Sequence, residues 1–122
     1  MTYETEGYVK AIKISANSSE ETELDFVPTG AYLMEENGQA YCLVKAGTSD
    51  DNDEKYDDVV EAKLLRFDKA KSVPMQVKSE SLRNALIMAT VNHSKIRVEI
   101  DRNSANAVGK SWKATIIVVK FV

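Results

Sequence analysis

Apolar and polar positions alternate along the first third of the chain, as they do in strands that bury one face. Tyr8-Val9-Lys10-Ala11-Ile12-Lys13-Ile14 follows Gly7; Tyr8, Ile12 and Ile14 share a parity that Lys10 interrupts. Thr22-Glu23-Leu24-Asp25-Phe26-Val27 alternates until Pro28-Thr29-Gly30 stops it. Residues 31–45 read as a hairpin. Tyr32-Leu33-Met34 and Tyr41-Cys42-Leu43-Val44 flank Glu36-Asn37-Gly38-Gln39, and Asn-Gly supplies the positive φ angles of a tight turn.

Residues 59–77 support two patterns. Val60, Leu64 and Phe67 fit one face of a helix over about 58–69, capped by Asp57 or Asp58 and followed by a short strand at Val73–Val77. Alternatively, Leu64–Asp68 and Val73–Val77 pair as strands across Lys69-Ala70-Lys71-Ser72. The helix is the preferred expectation. Next, Ser79 or Ser81 caps a helix over about 80–92, with Leu82, Ala85, Leu86 and Ala89 at the spacing of one face. Ile87, Met88 and Val91 widen the stripe, which predicts a well-buried helix. Lys95-Ile96-Arg97-Val98-Glu99-Ile100-Asp101 alternates without a fault and predicts a half-buried strand exposing a charge-balanced face. Arg102 to Ser111 is polar, a loop. Trp112 to Val122 closes the chain as a strand, apolar on both faces from Ala114 to Val119. One helix covers one face of such a strand, so a homo-oligomer joined through residues 114–119 is expected.

Composition narrows the classes. The 122 residues, 43% of them hydrophobic, suit a single globular domain spanning 1–122. Cys42 is the only cysteine and His93 the only histidine, which removes disulfides, cysteine-rich zinc sites and two-histidine metal motifs. The start is acidic and polar, unlike a signal peptide, and no apolar run approaches a membrane span, so a cytoplasmic protein is expected. A processed secreted chain would read the same way. The net charge of −3 is uneven. Six acidic residues fall within 50–58, and the rest of the chain carries 15 basic and 13 acidic residues. The stretch at about 47–58 reads as a solvated, mobile acidic loop.

The Gly7–Ile14 strand, the helix around Leu82-Arg83-Asn84-Ala85-Leu86-Ile87-Met88-Ala89, the Lys95–Ile100 strand and the closing Trp112–Val118 strand come in a telling order. That order resembles the OB-fold, a five-stranded barrel with a helix between its third and fourth strands. It is also similar to small β-barrel domains related to bacterial toxin B-subunits. The resemblance implies an α+β domain with a curved antiparallel sheet or small OB-like barrel. Residues 47–77 are longer than the connection such a barrel needs, and no functional motif is carried over.

Candidate chemistry is sparse. Asp50, Asn52, Glu54, Tyr56, Asp58 and Glu61 fall at the alternating positions of a calcium loop, although Lys55 stands where its turn needs Gly. A soluble acidic loop is the simpler account. Gly109-Lys110-Ser111 lacks the rest of a phosphate-binding loop and reads as a turn. His93 ends the helix, complementing its dipole, and Cys42 reads as a small buried thiol. Lys10, Lys13, Lys110 and Lys113, with Trp112, would form a basic patch with an aromatic if the first and last strands were neighbours. The expectation is therefore a self-associating, non-enzymatic binding or interaction module without a cofactor, its partner a protein or small ligand. A single-stranded nucleic-acid-binding barrel, or a small enzyme, is the alternative.

Overall fold

The structure is a computed structural model, and it describes residues 2–14, 21–47, 63–67, 72–106, 108 and 113–122. Eight strands and two helices are described: β1 (Thr2–Lys13), β2 (Thr22–Pro28), β3 (Leu33–Glu36), β4 (Gln39–Ala46), β5 (Lys63–Phe67), β6 (Val73–Val77), α1 (Glu80–Asn92), β7 (Ile96–Asp101), α2 (Arg102–Ala105) and β8 (Ala114–Phe121). Five strands close a small barrel in the cyclic order β1-β2-β6-β8-β7. All its ladders are antiparallel except β6–β8, where Met75 and Gln76 run parallel to Ala114 and Thr115. The fold is thus the α+β small barrel expected.

β1 is long enough to serve two neighbourhoods. Its first half, Thr2 to Gly7, pairs with β7, and Gly7 to Lys13 pairs with β2. Gly7 sits at the changeover, where a Cβ would fall on the Val27 carbonyl oxygen. β3, β4 and β5 form a second sheet with β4 in the middle, joined to the barrel where Tyr3 and Glu4 meet Ala46 and Lys45. The β3–β4 hairpin turns as expected, with Asn37 and Gly38 at φ of 53° and 79°. The inner face of this sheet, Ala40, Cys42, Val44, Leu65 and Phe67, joins one core with Phe26, Met75, Leu86 and Ile100. Burying each large aliphatic or aromatic side chain contributes about 1.5–3 kcal/mol.

Four expectations need correction. Residues 63–67 are a strand on β4, not part of a helix over 58–69, and β5 pairs with β4 rather than with β6. Leu65 and Phe67 point inward around exposed Arg66, so in this short stretch strand alternation prevails over the helical spacing of Val60, Leu64 and Phe67. α1 forms where expected, with the Leu82 amide donating to Ser79 Oγ at 3.4 Å, but only Leu86 and Ala89 are buried. Met88 and Val91 are exposed, so the wide apolar stripe is not a wide contact.

Bulges account for the other two. In β1, Val9 faces Phe26 and Ala11 faces Asp25, leaving Lys10 as the extra residue. The parity therefore switches: Val9 and Ile12 pack inward while Tyr8 is exposed, and Ile14, past the end of β1, is exposed too. In β8, Ile100 faces Ile116 and Glu99 faces Val118, so Ile117 is extra. This bulge turns both Ile116 and Val119 toward the core, so the run does not alternate cleanly between two faces. Of the run, Ile117 is left exposed. The expected loop after β7 begins with a single turn, α2, whose Ser104 amide donates to the Asp101 carboxylate at 3.1 Å. Among the described residues no helix is long and apolar enough to cross a membrane.

Candidate ligand groove

The outside of the barrel has two charged faces of different character. The first lies across β1, β7 and β8, where the register sets Glu4 beside Glu99, Glu6 beside Arg97, and Arg97 beside Lys120. Glu6 is bridged by Arg97 at 3.1 Å and Lys95 at 3.2 Å, and Glu4 lies 3.5 Å from Arg97. Glu99 was expected to face solvent from the clean alternation of its strand, but its side chain is only 1% exposed. The Thr2 hydroxyl donates to it at 2.6 Å and Lys120 Nζ approaches to 3.2 Å. The Gly47 backbone lies over this pair so closely that a Cβ there would collide with both Thr2 and Glu99. Burial alone would raise the Glu6 carboxyl, but hydrogen bonds and charge from Arg97 and Lys95 hold it below the usual carboxylate range. Hydrogen bonding to Glu6, with the charge of Glu4, raises the Arg97 guanidinium in turn. These charges neutralise one another and tie three strands together.

The second face is concave. Where β1, β2 and β6 run side by side, Ala11, Lys13, Glu23, Asp25, Pro74 and Lys113 line a groove of about 160 Å³. The register explains the gathering. Lys13 faces Glu23, Ala11 faces Asp25, and Asp25 faces Pro74, so these residues occupy two adjacent rows. Lys113 comes in from the start of β8 and holds Glu23 at 3.1 Å. Beside it Gln76 donates to the Thr115 hydroxyl at 3.0 Å, fixing the parallel β6–β8 contact.

Lys13 and Lys113 therefore meet at one groove, though not for the reason the sequence suggested. β1 and β8 are not neighbours; β7 separates them on one side and β2 and β6 on the other. Lys10 is exposed in the β1 bulge, outside the groove lining. Lys110 and Trp112 lie outside the described residues, as do Gly109 and Ser111 and the calcium-loop candidates Asp50, Asn52, Glu54, Tyr56, Asp58 and Glu61. Sequence reasoning missed Glu23 and Asp25 as site residues. Their outward parity in β2 was visible, but their place beside Lys13 depended on the β1–β2 register across the bulge.

Cys42 is a core residue, and His93 closes a helix through its backbone. Cys42 is fully buried against Thr5 Oγ1 at 3.4 Å, and burial pushes its thiol up to about 11, so it stays protonated at neutral pH. His93 is exposed and forms the left-handed C-cap of α1 at φ 51°, from which the Ser94 amide reaches back to the Ala89 carbonyl. No protein-family model matches the chain, and no curated protein and no solved structure is significantly similar to it.

Proposed function

We propose that this protein is a small non-enzymatic binding module whose ligand enters the groove between β1, β2, β6 and Lys113. The observation that carries the reading is the contrast between the faces: charges on the β1–β7–β8 wall are consumed by one another, while the groove presents Lys13 and Asp25 in a concavity. The strand order supports an OB-type barrel, with β3–β5 inserted between its second and third strands. In such barrels the outer face of the second and third strands, with the flanking loops, binds oligonucleotides and oligosaccharides, and the groove opens beside those strands. Two lysines among two carboxylates make a net-neutral lining, which weighs against a nucleic-acid backbone as ligand.

The test is amide chemical-shift mapping of the full chain against a library of small polar compounds. Saturable shifts concentrated at Ala11–Lys13, Glu23–Asp25 and Lys113 are expected. Hits that map elsewhere, or none at these amides, refute the reading. Exposed Ile117 supports self-association through β8 as a second reading. For that, sedimentation at micromolar concentration must show a species larger than the 13.6 kDa chain.

A further inference from the structure

We infer that the groove takes a residue-sized zwitterion, its anionic end at Lys13 and its cationic end at Asp25. The inference rests on the groove being the ligand site, and size is its first support. About 160 Å³ is well below the roughly 300–1,000 Å³ of pockets for drug-sized molecules. It admits one amino-acid-sized group.

Charge is the second support. Of the four charged side chains in the lining, Lys113 and Glu23 are engaged with each other at 3.1 Å. Lys13 and Asp25 make no ion pair with each other and have no hydrogen-bond or ion-pair partner among the described residues. Register places them as diagonal neighbours, because Lys13 faces Glu23 and Asp25 lies two residues further along β2. Diagonal neighbours stand about 7–8 Å apart, a gap that a short dipolar chain can bridge. Asp25 and Ala11 form one row and Lys13 and Glu23 the next, so the ligand's aliphatic body would pass beside Ala11, with Pro74 flanking Asp25 on its far side.

Specificity follows from what each simpler ligand would meet. A polyanion drawn to Lys13 runs into Asp25 and Glu23, and a polycation drawn to Asp25 runs into Lys13 and Lys113. A ligand carrying both signs satisfies the open pair without either conflict. Contacts to exposed charges are individually weak, so a minimal probe binds with a dissociation constant on the order of 1 mM.

The probe is 5-aminovalerate, titrated into the full chain and followed at the Ala11–Lys13 and Glu23–Asp25 amides. Pentanoate, pentylamine, glucose and an oligothymidylate serve as comparisons. The zwitterion is expected to bind roughly fivefold more tightly than either singly charged analogue. Asp25→Asn should abolish its advantage over pentanoate, and Lys13→Gln its advantage over pentylamine. Both positions are exposed strand sites, so a thermal melt at the wild-type midpoint certifies the variants. Equal binding of pentanoate or pentylamine to the wild type overturns the inference. So does preferential binding of glucose or oligothymidylate at the same amides, although the groove then remains a ligand site. Silence at these amides with every compound overturns both the inference and the proposed function.

Discussion

Lys113 and Lys120 stand near opposite ends of β8, and each holds a carboxylate at almost the same distance, 3.1 Å to Glu23 and 3.2 Å to Glu99. The geometry is shared; the surroundings are not. The Glu23 side chain is 43% exposed and the Glu99 side chain 1%. At the groove, water screens the pair and either partner can be released to a ligand at small cost. On the β1–β7–β8 wall, Gly47 and Thr2 seal the carboxylate away from water, so it depends on the protein groups around it. Similar chemistry thus fastens the barrel at one end and leaves a usable surface at the other.

The sharpest way to break that comparison is to remove both lysines separately. Lys120→Met takes the Lys120 ammonium away from buried Glu99 and should cost about 2–3 kcal/mol in urea denaturation, below the full penalty for a buried pair because Lys120 itself is partly exposed. Lys113→Met leaves Glu23 in water and should cost less than about 1 kcal/mol. The reverse substitution sharpens the argument. Glu99→Gln leaves Lys120 partly exposed and still 3.9 Å from Glu4, and its amide oxygen can still accept from Thr2, so it should cost less than Lys120→Met. Equal losses for Lys113→Met and Lys120→Met would show that burial of the carboxylate is not what separates the two faces.

The same division marks what could be read from the chain. β2, β7 and α1 were legible because each carries an apolar set at a single period: Leu24 and Phe26, Ile96, Val98 and Ile100, Leu82, Leu86 and Ala89. The first half of β1 was not. Its inward residues are Tyr3 and Thr5, and its outward Glu4 and Glu6 are nearly buried because cations far along the chain neutralise them. Carboxylates in a sequence look solvated until their partners are known. Lys10 and Ile117 hid for another reason: each is a single extra residue that reverses parity, and only the partner strand defines it as extra. The groove falls between these cases. Its lysines could be listed by charge, but its carboxylates could be placed only once β1 and β2 were in register.

A smaller effect tests the wall by acid rather than by truncation. Glu6 has a folded pKa below its ordinary value of 4.5, so the folded state binds that proton less readily than the unfolded chain. Its contribution is therefore complete above the unfolded pKa and is lost as pH falls through the folded one. Glu6→Gln removes the titration. At pH 7 the variant should be less stable by about 1 kcal/mol, since the lost hydrogen bonds to charged donors are partly open to solvent. As pH falls through the lowered folded pKa the gap to the wild type should close, because the wild-type carboxyl is then protonated as well. The effect should also shrink in an Arg97→Gln background, where one of the two cations that lower Glu6 is gone and only Lys95 remains. A stability difference that stays constant from pH 7 down to full protonation of the carboxyl would mean that Glu6 acts through packing, and that the wall is held by shape rather than by its charges.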